Sequence, residues 1–155
     1  MDPEEKARLI KRYRDGHREV MQAFDGITES ELDHSAVEGE WTPRQIAHHL
    51  ADSEMMSAIR IRRLLAEDKP MLYGYDEKAL AEKLTSDRPI HPSLEAMHWA
   101  RETCAQLLER MSEDDWRIVG EHSESGRYTP EDWLRIYAAH GHDHAEQVKR
   151  ARGMK

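Results

Sequence analysis

The chain has 155 residues, enough for one domain that buries about two thirds of the surface its unfolded form exposes. Its 31 acidic and 23 basic side chains leave a formal net charge of -8, which opposes a general electrostatic grip on phosphate backbones, so nucleic acid is not an expected partner. The single cysteine, Cys104, excludes an internal disulfide and a four-cysteine zinc site and suits a reducing cytoplasm, while no apolar run approaches a signal-peptide core or the roughly 20 residues of a membrane span.

Hydrophobic spacing reads as helix almost throughout, with no convincing alternating run for a strand, and the expected class is all-α. The first helix is expected over about residues 4–24, with Leu9, Ile10, Tyr13, Val20, Met21 and Phe24 as its apolar stripe and Gly26 ending it. The second runs from Pro43 to about Glu67. Thr42 can cap its first free amides, and Pro43 sits where a missing N–H costs nothing. Its buried face takes Ile46, Leu50, Ser53, Ser57, Ile61 and Leu64, and the basic run Arg60, Arg62, Arg63 lies late in the helix, where positive charge suits the macrodipole. Pro70 stops it.

From Pro70 to Pro92 a long connection, with a short helical piece starting at Asp76, can cross the end of a bundle instead of turning back tightly. The third helix is expected from about Ser93, its cap, to Met111, with Leu94, Met97, Arg101, Cys104, Leu108 and Met111 on one stripe. After a polar loop with two glycines, a second Thr-Pro pair opens the fourth helix, Pro130 to about Ala151. Trp133, Ile136, Tyr137, His140, His144, Gln147 and Val148 share one side of it. Four long helices imply a four-helix bundle, one domain over residues 1–155. Met55, Met56 and Ile59 lie off the main stripe, either as a homodimer surface or under the long connection.

Ten histidines in such a chain give about half of one pair at i,i+4 spacing by random placement, so spacing alone carries little weight. Position carries more. His140 and His144 continue the apolar stripe of the fourth helix, where an unpaired imidazole must be desolvated, and a metal is one reason to place two there. The other is a pair of core histidines hydrogen-bonded to carboxylates or water. From the second helix His49 falls on the buried side beside Ile46 and Ser53, whereas His48 aligns with Asp52 and Met55 on a flank. Asp52 is placed to hold the tautomer of a ligand imidazole, and Gln147 either faces an open metal position or borders the core. Three imidazoles and an open fourth position form a catalytic rather than a structural zinc-type site. His34, His91, His122 and His142 are expected in solvent. His17 and His98 are core residues or alternative ligands, and Tyr75 or His98 could reach the site from other elements. HGHDH lacks the glutamate of the HExxH protease motif, and Cys104 reads as a packing residue.

Together, WTPRQIAHHLADSE and YAAHGHDHAEQVKR, with the Gly-Arg-Tyr-Thr-Pro approach to the last helix, resemble the DinB/YfiT-like superfamily over nearly the whole chain. The resemblance implies a four-helix bundle in up-down-down-up order and a divalent metal on His49, His140 and His144, and Zn or Ni is the ion expected at such a three-histidine site. It also implies a metal-dependent enzyme of small molecules. Some members are similar to S-transferases that use a low-molecular-weight bacterial thiol, others to hydrolases or isomerases. The rival reading is a noncatalytic bundle that binds a ligand or partner, with its histidines as a polar core or as a structural clamp closed by His17 or His98.

Overall fold

A computed structural model describes residues 1–154. Six helices follow one another as α1 (Pro3–Phe24), α2 (Glu29–Leu32), α3 (Pro43–Ala66), α4 (Glu77–Lys83), α5 (His91–Leu108) and α6 (Pro130–Ala151). Three of the four long ones start with a capping side chain followed by proline. Asp2 accepts from the Glu5 amide at 2.9 Å ahead of Pro3, while Thr42 and Thr129 open full capping boxes with Gln45 and Asp132.

Cross-helix contacts fix the order of the bundle. Along α1 and α6, Glu5 meets Arg135, Arg12 meets Ala138 and Ala23 meets Arg152, so these neighbours run parallel. Along α3 and α5, His48 meets Ser93, Glu54 meets Arg101 and Arg62 meets Thr103, again parallel. Between α3 and α6 the sense reverses, with His49 against His144 and Ser57 against Trp133. The helices therefore run up, down, down, up. Parallel neighbours cannot be joined by a tight turn, which is why the connection between α3 and α5 is long.

Two features depart from the sequence reading. Met71–Leu72, Gly120–His122 and Gly126–Tyr128 form a small sheet, the first pair parallel and the second an antiparallel hairpin turned at Gly126, where φ is +74°. Strands of two or three residues are too short to show alternation. The third long helix begins at His91, not at Ser93, and ends at Leu108, before Met111. Ser93 caps nothing and instead uses its hydroxyl on His48.

Most stripe residues are buried as expected, but Met21 and Ile136 are exposed, as are Met55, Met56 and Ile59, which the long connection leaves uncovered. Two apolar clusters fill the bundle, one around Trp133, Leu134, Ile61 and Leu108, the other around Val20, Ile46, Leu50 and Met97. At mid-height Glu54 and Arg101, 0 % and 1 % exposed, form a buried ion pair at 2.9 Å. Tyr13 donates its hydroxyl to Glu54, and Arg101 donates to the main-chain oxygens of Tyr13 and Tyr137. Gly16 and Gly141 make room for the guanidinium, because a Cβ on Gly16 would lie 2.5 Å from Arg101 Nη1. No described helix is long and apolar enough to cross a membrane.

Candidate metal centre

His49 on α3 and His140 and His144 on α6 meet where these helices run antiparallel. Their Nε2 atoms lie 3.3 Å (His49 to His140), 3.1 Å (His49 to His144) and 3.2 Å (His140 to His144) apart. His48, one residue away, points instead to α5, its Nδ1 2.7 Å from Ser93 Oγ and its Nε2 3.3 Å from the Arg88 carbonyl oxygen. Thus of the two adjacent histidines, His49 reaches the α6 pair.

The donor set fits a cation better than a hydrogen-bond network. His144 Nδ1 donates to Gln147 Oε1 at 2.7 Å, which leaves Nε2 as a bare lone pair. His49 Nδ1 faces the Glu77 carboxylate at 3.7 Å, and that negative charge favours the proton on Nδ1, again leaving Nε2 bare. Two lone pairs 3.1 Å apart repel unless something positive lies between them. Protons are disfavoured, since burial pushes the His49 pKa down to about 3 and those of His140 and His144 below their ordinary value, with the neighbouring imidazoles adding to the effect at His49 and His140. His140 Nδ1 is buried with no hydrogen-bond partner. The spacing of the three nitrogens is close to that of imidazole ligands about 2.0–2.1 Å from one tetrahedral ion.

Around this cluster the structure relocates several expected contributors. The carboxylate facing His49 is that of Glu77, from the first turn of α4, and not Asp52. Asp52 is half-buried, its pKa raised by burial and countered by Arg88 and His48. Gln147 contacts His144 directly. His17 and His98 stack on each other, ring centroids 4.5 Å apart between α1 and α5, outside the ligand cluster formed among the described residues. His122 is buried on its strand rather than solvated, and His142 contacts the Arg12 carbonyl oxygen at 2.9 Å. Cys104 is buried in the core, where burial pushes its thiol pKa up.

Two cavities flank the cluster, and His140 and Glu77 line both. The larger, about 650 Å³, is walled by Trp41, Lys78 and Gln147, with the Trp41 ring 4.9 Å from that of His49. The smaller, about 250 Å³, lies on the side of Ser53, Arg60, Tyr75 and Tyr137, whose phenol burial keeps protonated by pushing its pKa up to about 12.

A bundle in up-down-down-up order with three convergent imidazoles between its second and fourth long helices defines a class, and comparison with known proteins gives it a family. Residues 12–148 match the model of the DinB superfamily, and the chain belongs to that superfamily. A protein of Oceanobacillus iheyensis is 35% identical over 122 residues, covering 79% of this chain and 71% of its own. YfiT of Bacillus subtilis is 33% identical over 151 residues, covering 94% and 83%. Both bear the name "putative metal-dependent hydrolase". The solved structure of Bacillus subtilis YfiT, described as having an unusual four-helix bundle topology, superimposes with a TM-score of 0.91 at 30% identity, covering all of this chain and 91% of that one.

Proposed function

We propose that the protein is a metal-dependent hydrolase of a small molecule, with His49, His140 and His144 as the ligands of one Zn or Ni ion. The observation that carries this reading is the convergence of three Nε2 atoms, two of them held as bare lone pairs by Gln147 and Glu77. A divalent ion bound there supplies a Lewis acid that brings water, or a thiol, to nucleophilic form near neutral pH. Gln147 and Glu77 orient the imidazoles. Glu77, more than half exposed, also lines both cavities beside the cluster. Trp41 packs on His49 and forms a wall of the larger cavity beside it.

Transfer to a low-molecular-weight thiol is the second reading, and the pair of cavities supports it, since a transferase holds two reactants beside one centre. A noncatalytic clamp would need a fourth protein ligand, and the ligand cluster among the described residues holds three. Metal analysis of tag-free protein purified without added metal tests the assignment. About one Zn or Ni per chain, lost in His49→Ala, His140→Ala and His144→Ala with the helical signal retained, is expected. Full occupancy in any of these variants overturns it.

A further inference from the structure

The smaller cavity beside His140 carries chemistry that the three-histidine cluster does not use. Arg60, on the last turns of α3, donates from Nη1 to the Tyr137 hydroxyl at 2.9 Å and from Nη2 to the Tyr73 carbonyl oxygen at 2.7 Å, and it lies over the Tyr75 ring. No carboxylate among the described residues lies within 4.0 Å of it, unlike the neighbouring Arg63, which is paired with Glu67. Three of its five N–H groups are therefore left for solvent or a ligand.

Two further donors line the same cavity. Tyr137 accepts from Arg60, so its own O–H is free to donate. His122 Nδ1 accepts the Glu124 amide at 3.3 Å, which puts the imidazole proton on Nε2. Three donors thus come from α3, α6 and the hairpin to one cavity of about 250 Å³, below the usual range for drug-sized ligands.

From this convergence we infer that the cavity binds the carboxylate end of a small monoanionic substrate, with Arg60 as the specificity-determining residue and Tyr137 and His122 as supporting donors. Its role as a substrate pocket rests on the function proposed above, whereas carboxylate binding itself does not. Glu77 and Glu124 also line the cavity and repel any anion, a dianion such as phosphate about twice as strongly as a single carboxylate, so a monoanion is the better fit. Glu124 lies close over Gly74, where any Cβ would collide with its carboxylate. The guanidinium presents a planar fork suited to a carboxylate, and the walls from Tyr75 and Ile136 suit a short apolar chain.

The test is an NMR titration of the full chain with butyrate, butyramide and inorganic phosphate, before and after chelator treatment, with metal content measured on every sample. Butyrate is expected to shift the amides of Gly74, His122 and Ile136, with butyramide and phosphate at least about tenfold weaker. Arg60→Gln should weaken butyrate at least about tenfold in both metal states, and Arg60→Lys should restore part of the loss. Equal binding of butyrate and butyramide, tighter binding of phosphate, or butyrate binding unchanged in Arg60→Gln overturns the inference. Butyrate binding that survives Arg60→Gln but disappears with the metal would place the carboxylate on the ion instead, and this also overturns it. Metal content alone decides the three-histidine assignment, so the two failures are distinct.

Discussion

Gln147 Oε1 stands 2.7 Å from His144 Nδ1, three residues along the same helix, and this contact decides which edge of the imidazole faces His49. Replacing it with leucine removes the acceptor and frees the ring to rotate or change tautomer. Gln147→Leu should weaken Zn binding about 10–100-fold, with Gln147→Glu retaining it. Competition against a chromophoric chelator measures both, and wild-type affinity in the leucine variant would deny the contact its orienting role.

The Glu54–Arg101 pair should be costly to break and cheap to remove whole. Glu54→Gln leaves an uncompensated cation in the core, and a loss of about 3–5 kcal/mol is expected in urea unfolding. Glu54→Leu combined with Arg101→Met should recover most of that loss. A double variant no more stable than the single one would mean that the pair contributes net stability.

Gly16 exists for the guanidinium of Arg101. A methyl group there would lie 2.5 Å from Nη1, and Arg101 cannot retreat because it is held by main-chain oxygens of α1 and α6. Gly16→Ala should destabilise by about 1–3 kcal/mol despite the better helix propensity of alanine. Gly16→Ala in an Arg101→Met background should lose much less, and thermal melts of the four proteins compare the two.

Acid sensitivity should be legible at Asp33. Its hydrogen bonds from Arg44, 2.7 Å to Nε and 2.9 Å to Nη2, hold its pKa below the ordinary value. A depressed carboxylate contributes stability above its unfolded pKa and loses it as pH falls through the folded one. Asp33 is exposed, so Asp33→Asn should cost no more than about 1 kcal/mol at pH 7. That difference should shrink below the unfolded pKa and vanish under the folded one. Urea titrations across the acid range check the sign, and a difference that grows on acidification would contradict it.

The helices that the sequence announces are those whose starts use local chemistry. Thr42–Pro43 and Thr129–Pro130 place α3 and α6 to the residue because capping hydroxyl, proline and capping box all lie within four positions. Ser93 looks equally local, yet its hydroxyl serves a histidine 45 residues away, and no local rule distinguishes the two uses. The same limit explains Glu77. Helical spacing puts Asp52 on the same helix as His49, but the carboxylate facing that imidazole comes from a separate helix across a long connection. Glu54 left a trace. Ser57, one turn on, is a small polar residue on a largely apolar face, and its hydroxyl donates to the Glu54 carboxylate at 3.3 Å.

The long connections divide the labour of the molecule. The histidines sit on α3 and α6, whereas Trp41, Tyr75, Glu77 and His122 all come from segments between the long helices. A change in the length or sequence of one of these segments can remould a cavity wall while the bundle keeps the imidazoles in place. Such a scaffold can diversify its chemistry by exchanging loops, and grafting the 67–90 connection between relatives is a direct route to altered substrate preference.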